Sequence, residues 1–294
     1  HNDEAIVEDP GYLSFEPQIK LVGAKPILLP LDKQDGFKFS IEHLINKITS
    51  KTKLLILCNP HNPTGRCFSR DELIKIGKIC IDNNIYLLID EAYEHFVYDG
   101  LKHHSMASLP KMFERTITIQ TVSKIFNMSG WRIGWVIGPA EIINKILIAH
   151  SHSVTAPSTF AQEGAIPVIE KNIGEGGMKI PKIVDRYERQ RDLMVSLLKS
   201  IEGVECHLPE GTFFAFPNIS NFGYGSFEIS NYLLEEAGVA TVPGLAFGPS
   251  GDSFLRLVFK EDKKSIKMGI NQMNLALEKL RKKQLSNKKQ PYEL

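Results

Sequence analysis

Four stretches of this sequence combine residue types that do chemistry together. In the first, Thr121-Val-Ser123-Lys124 is followed by Gly130-Trp-Arg132-Ile-Gly134-Trp135. A lysine at a strand end, flanked by hydroxyls with an arginine further on, suits a cofactor that carries a carbonyl and a phosphate. The amine would form an imine. The hydroxyls and the guanidinium would hold the dianion, the arginine by a forked contact. In the second, Asp90-Glu-Ala-Tyr93 closes an apolar run. An aspartate there stands where α/β sheets place their ligands. It can pair with a protonated pyridine nitrogen and keep the ring an electron sink; a helix N-cap is the plainer use of the same residue. In the third, Asn59-Pro-His-Asn62-Pro63-Thr-Gly65 makes a rigid turn. Its amide can reach a ring hydroxyl, and Pro63 is a candidate for a cis bond; an ordinary loop is the plainer reading. In the fourth, Phe254-Leu-Arg256-Leu-Val-Phe259 sets an arginine in an apolar strand. A buried guanidinium needs an anion, and a substrate carboxylate and a structural ion pair are equal candidates.

The elements that must position these residues follow from apolar patterning. Lys53–Cys58 and Ile85–Asp90 read as buried strands. Between them Ser69–Asn83 reads as a serine-capped helix, with Leu73, Ile74, Ile76, Ile79 and Ile81 at helical spacing. Strand, helix, strand is a βαβ crossover. Thr116–Thr121 and Ile133–Gly138 read as further strands and Ala140–His150 as a helix, so the first half is α/β with a mostly parallel sheet. Beyond residue 170 the pattern changes. Asn172–Gly177 reads as a loop and Ile180–Ser200 as a charged helix. Glu205–His207, Phe213–Pro217 and Phe254–Phe259 read as short strands, Phe227–Ala237 and Asp262–Lys283 as helices. This is a smaller α+β domain. The boundaries expected are 1–175 for a large domain and 176–294 for a small one. The Lys-rich end from Lys282 reads as a solvated helix terminus.

Composition excludes several classes. Of 294 residues, 43% are hydrophobic and 23% charged, which fits a folded globular chain and not a disordered one. A net charge of +1 gives no field that would draw nucleic acid or an anionic membrane. No apolar run approaches the ~18–20 residues of a spanning helix. The start, His1-Asn-Asp-Glu, lacks a signal-peptide pattern. Cys58, Cys67, Cys80 and Cys206 form no CxxC pair and read as free thiols of a reducing, cytoplasmic compartment. No metal is expected: His103-His104 and the His150/His152 pair show no accompanying cluster of ligands in sequence.

Taken together and in order, the four segments resemble the class I/II aminotransferases, pyridoxal-phosphate-dependent enzymes of fold type I. The likeness runs from Glu4 to about Leu280. It implies an aspartate aminotransferase-like fold: a large domain with a mostly parallel sheet sandwiched by helices, and a smaller C-terminal α+β domain. It implies that Lys124 forms the imine with pyridoxal 5'-phosphate and shuttles the proton between substrate and cofactor. Asp90 would bridge to the pyridine nitrogen. Asn62 and Tyr93 would bond the ring oxygen, and Tyr12 would stack on the ring. Thr121 and Arg132 would bind the phosphate, with Ser123 a weaker candidate, and Arg256 would take the substrate α-carboxylate. The implied reaction moves an amino group from an L-amino acid to a 2-oxo acid in a homodimer.

One departure stands out. The family's N-terminal segment, with a turn that binds the cofactor phosphate, has no counterpart here. The sequence is therefore expected to be a piece of a longer chain, and by itself to bind cofactor weakly or not at all. No arginine stands between Arg132 and Arg186, an interval in which aspartate-type members can carry one for a distal carboxylate. That weighs against a strict dicarboxylate preference. Phe213, Phe214 and Tyr12 would suit an apolar or aromatic substrate, or simply fill the core. Three alternatives remain at this level: a β-eliminating lyase with the same site, an aminotransferase-like domain of a transcription regulator, and an inactive structural fragment.

Overall fold

Leucine and isoleucine runs that no polar residue interrupts become the central strands, because both of their faces must be covered. The computed structural model describes residues 2–173 and 179–288. The chain divides into two units. The first holds the residues up to Asn62, Arg66–Arg186 and Glu210–Thr212. The second holds Pro63–Gly65, Tyr187–Pro209 and the residues from Phe213 on.

The first unit is built on six strands: β1 (Glu4–Asp9), β2 (Lys25–Pro30), β3 (Thr52–Cys58), β4 (Tyr86–Asp90), β5 (Thr116–Thr121) and β6 (Gly134–Ile137). Their spatial order is β2-β1-β3-β4-β5-β6. The first five are mutually parallel and β6 runs antiparallel to β5. Ile6, Leu57, Leu87 and Ile89 are wholly buried in the sheet. Helices α1 (Phe15–Leu21), α2 (Ile41–Lys47) and α3 (Arg70–Asp82) carry the chain between parallel strands; α4 (Ala140–Ser153) and α5 (Thr159–Ile173) follow β6. At the start of α3 the Ser69 hydroxyl accepts the Glu72 N–H while the Glu72 carboxylate accepts the Ser69 N–H, so two orphan donors are satisfied. The strand order reverses at β1, which has β2 on one side and β3 on the other. Such a reversal opens a crevice beyond the carboxyl ends of the strands.

The second unit contains the part of α6 (Lys179–Lys199) from Tyr187 on, helices α7 (Ser226–Ala237) and α8 (Lys263–Lys288), and a small antiparallel sheet. Its strands are β7 (Phe214–Ala215), β8 (Val242–Pro243) and β9 (Leu255–Val258), in the order β7-β9-β8. The turn that leads from β8 towards β9 depends on glycine. A Cβ on Gly244 would come 2.0 Å from the Gly251 carbonyl oxygen, and one on Gly251 would come 2.2 Å from that of Gly244. The two backbones meet at a distance that no side chain allows.

The mixed α/β architecture read from the sequence is the observed one, with particular differences. Strands β1 and β2 and helix α5 had no clear sequence signal. Glu205–His207, expected as a strand, makes only an isolated bridge from Glu205 to Asn218. Pro209 follows closely and lacks the N–H that would extend a ladder. Phe213–Pro217 contracts to two strand residues. Of the expected loop Asn172–Gly177, Asn172 and Ile173 finish α5; the rest of it, and the end of the Lys-rich tail, lie outside the described residues. The cis candidate Pro63 is corrected: among the described residues the cis bonds are Asp9–Pro10 and Asn59–Pro60. All four cysteines are free thiols. Among the described residues no helix is long and apolar enough to cross a membrane.

Candidate active site

Because β1, β3, β4 and β5 are parallel, their carboxyl ends share one edge of the sheet. The chain leaves those ends as Pro10–Tyr12, Asn59–Asn62, Asp90–Tyr93 and Thr121–Lys124. Antiparallel pairing of Thr121 with Gly134 returns β6 to the same edge, so Arg132 lies opposite the Thr121–Lys124 turn. A side chain at Gly134 would put a Cβ 2.7 Å from the Gln120 carbonyl oxygen, which accounts for a glycine there. The sheet thus gathers Tyr12, Asn62, Asp90, Tyr93, Thr121, Ser123, Lys124 and Arg132, dispersed over the sequence, along one edge of the first unit.

Asp90 is half-buried at the end of β4. Its Oδ1 accepts the Ala92 N–H at 2.9 Å. Burial pushes its carboxyl above the usual range, opposed by the Ala92 hydrogen bond and the Lys124 ammonium. The Lys124 Nζ stands 5.5 Å from the centre of the Tyr93 ring, within reach of its negative face. Asn62 and Tyr93 are both buried. Thr121 organises its turn: its hydroxyl lies 2.9 Å from the Ile133 carbonyl and 2.8 Å from the Ser123 hydroxyl, and accepts the Ser123 N–H at 3.0 Å. Arg132 adopts a left-handed backbone (φ 57°), and its Nη1 donates to the Ser129 carbonyl at 2.7 Å. Thr121, Ser123, Arg132, Gly134 and Trp135 border a hollow of about 280 Å³. Tyr12 is partly exposed, and its ring meets Phe15 edge-on at 5.3 Å.

Arg256 belongs to the second unit. It lies on β9, with its guanidinium 4.3 Å from the Phe214 ring centre and 4.8 Å from that of Phe247. Two aromatic faces hold the cation in place. Phe214 is a buried core residue and Phe213 packs on it at 4.7 Å, so these rings serve packing and the arginine together. Phe247 lies in the turn that follows β8.

Two pairs beneath the edge were not visible in the sequence. Glu8, on β1, accepts the Cys58 N–H at 2.9 Å, and its Oε2 lies 3.5 Å from His61 Nε2. Both side chains are buried. Desolvation raises Glu8 to about 8 and lowers His61 to about 3. His61 stood inside a recognised motif, but its partner Glu8 is far away in sequence and the β1–β3 pairing joins them. The second pair corrects the expectation that His103 lacks accompanying carboxylates. Its Nε2 lies 3.5 Å from Glu91 Oε2, and one donor atom each of Glu91, Glu94 and His103 fall within 4.8 Å of one another.

The Glu8 shift has a measurable consequence. A carboxyl raised in the folded state binds a proton that the unfolded chain has released, so stability falls as pH rises from about 4.5 towards 8. His61, held neutral, acts with the opposite sign between about 3 and 6.5. The window from pH 6.5 to 8 therefore isolates Glu8. Denaturant unfolding of Glu8→Gln is expected to lose a decline of about 2 kcal/mol across that window relative to the parent. Parallel curves for the two proteins would refute the neutral-acid assignment.

Comparison with known proteins identifies the family. Residues 1–272 match the family described as aminotransferase class I and II. The aromatic-amino-acid aminotransferase 2 of Thermococcus litoralis is 34% identical over 276 residues, covering 94% of this chain and 70% of the relative. The probable aspartate/prephenate aminotransferase of Aquifex aeolicus is 36% identical over 282 residues, covering 95% and 71%. The crystal structure of an aromatic aminotransferase from Pyrococcus horikoshii superposes with a TM-score of 0.91 at 33% identity, covering 95% of this chain and 74% of that one. The fold and the matched residues make this chain a member of the class I and II aminotransferases.

Proposed function

We propose that this chain transfers an amino group between an L-amino acid and a 2-oxo acid with pyridoxal phosphate bound at the carboxyl edge of the six-stranded sheet. The observation that carries the reading is the convergence of the Asn59–Asn62, Asp90–Tyr93 and Thr121–Lys124 turns at the carboxyl edge of the parallel strands, with the Lys124 Nζ 5.5 Å from the Tyr93 ring. The residues suit the cofactor. The hollow beside Thr121, Ser123 and Arg132 offers two hydroxyls and a guanidinium for a phosphate. Asn62 and Tyr93 offer an amide and a phenol for a ring oxygen. Tyr12 would cover the ring face. When bound, pyridoxal phosphate supplies a carbonyl for amines and a ring that accepts electrons.

In this reading the chain's own residues have separable tasks. Asp90 holds a proton at the ring nitrogen. Lys124 supplies the amine that holds the cofactor and, once displaced, moves a proton at the substrate Cα. Arg256, steadied by Phe214 and Phe247, binds the substrate α-carboxylate. The large domain would be residues 1–175 and the small domain 176–294. The working form would be a cytoplasmic homodimer that needs neither nucleic acid nor membrane.

The test is the visible absorbance of the full-length protein mixed with pyridoxal phosphate. A yellow band that individual amino acids bleach, and that a 2-oxo acid restores, supports transamination. Release of pyruvate and ammonia without an acceptor would instead mark elimination. Absence of any band would overturn the reading.

A further inference from the structure

His103 is a buried-edge side chain to which the proposed chemistry gives no task, yet it stands between two segments of the site. Asn59 opens the turn that carries Asn62, and Glu91 directly follows Asp90. The two segments already touch through backbone: the Asn59 N–H donates to the Asp90 carbonyl at 2.9 Å. His103 joins them a second time through side chains. Its Nδ1 lies 3.5 Å from the Asn59 Nδ2, and its Nε2 lies 3.5 Å from Glu91 Oε2. The Asn59 amide is oriented by its other end, because Oδ1 accepts the Phe68 N–H at 3.0 Å. Its Nδ2 must then face the ring as a donor, so Nδ1 is the acceptor and Nε2 is the protonated nitrogen, on the side nearer Glu91. Glu91 is fully buried, and its other oxygen accepts the Met106 N–H at 3.3 Å, just beyond the loop that bears His103. The Asn59–Asp90 and His103–Asn59 hydrogen bonds, with the 3.5 Å approach of His103 Nε2 to Glu91 that stops short of hydrogen-bond geometry, therefore close a ring.

We infer that His103, as its Nε2–H tautomer, is a positioning residue that fixes the Asn59–Asn62 turn against the Asp90–Glu91 turn and so sets the two groups proposed to hold the cofactor ring. The inference rests on the proposed cofactor site. Glu94 brings a second carboxylate near Nε2, and these three donors would otherwise suggest a divalent cation. A cation on Nε2 would require the proton on Nδ1, pointing at the Asn59 amide donor, and the hydrogen-bond pattern opposes that tautomer.

The test uses the full-length protein with pyridoxal phosphate and two variants. His103→Leu removes both polar ends. His103→Gln keeps a neutral donor at the Nε2 position. Three quantities are measured: thermal unfolding without cofactor, the cofactor dissociation constant, and the pH midpoint of the visible band. His103→Leu is expected to weaken cofactor binding about tenfold and to displace the band's midpoint while the apoprotein stays folded at the assay temperature. His103→Gln should recover most of both. An unchanged dissociation constant and midpoint in His103→Leu would overturn the inference. So would failure of His103→Gln to rescue, since a charged ring would then be the requirement. Stoichiometric zinc uptake by the parent, lost in His103→Leu, would overturn the tautomer. If the parent itself shows no visible band, the cofactor reading has failed, which is a distinct result.

Discussion

Lys124→Ala is expected to show no visible band with pyridoxal phosphate and to lose turnover by at least about 10⁴-fold. The size follows from two losses at one atom: the amine that captures a carbonyl and the base that moves the Cα proton, the second alone amounting to about 10²–10⁴-fold. The fold should survive. The hydrogen bonds that shape the turn belong to Thr121, Ser123 and Ile133, none of which uses the lysine. Lys124→Arg sharpens the experiment. It keeps a positive charge near Asp90, and so the electrostatic help that carboxylate receives, but supplies no condensing amine. Equal inactivity in both variants assigns the loss to the amine. Partial rescue of Lys124→Ala by small primary amines would assign the proton transfer to the same group. A Lys124→Ala protein that still turns over at a tenth of the parental rate would remove this lysine from the chemistry.

How much of this was legible in the sequence depended on how local each signal was. Helix α3 was readable because its cap, its Glu72 and its apolar face lie within one short window, and β3 and β4 because a continuous apolar run has few other uses. Strands β1 and β2 were not. Glu4 and Glu8 are acidic residues yet buried, and their partners come from other segments, Thr49 and Lys25 for Glu4 and Cys58 for Glu8. The site residues were legible as motifs because each motif sits in one strand-end turn. That they share an edge required the parallel register. The residues that brace them, Glu8 under His61 and Glu91 under His103, were invisible for the same reason: each partner comes from another element, and a histidine or a glutamate alone announces nothing. Arg256 was singled out by its contrast with an apolar strand, whereas Phe247, which helps hold it, resembles any core aromatic.

Asp90→Asn should separate function from stability more sharply than any other substitution in this chain. Its carboxylate is the group proposed to keep a proton on the ring nitrogen, and asparagine cannot compensate that charge. Leaving one member of a buried pair without the other typically costs about 3–5 kcal/mol, so turnover is expected to fall by roughly 10²–10⁴-fold. Asp90→Glu, with the charge retained but displaced by a methylene, should fall between. The pH profile carries a second signature. Burial raises Asp90 above the usual carboxylate range, so the parent should lose activity on the acid side as that group takes up a proton, and Asp90→Asn should lack this limb. Stability moves the other way. A carboxyl raised in the folded state destabilises the fold at any pH above the ordinary range, where the unfolded chain is already ionised. Asp90→Asn should therefore unfold at the same temperature as the parent at pH 7, or higher, as happens where a site holds a charge at the expense of stability. If Asp90 served only as a structural ion-pair partner, the substitution would lower both the melting temperature and the rate. A rate that collapses while the melting temperature holds or rises identifies a charge kept for the cofactor.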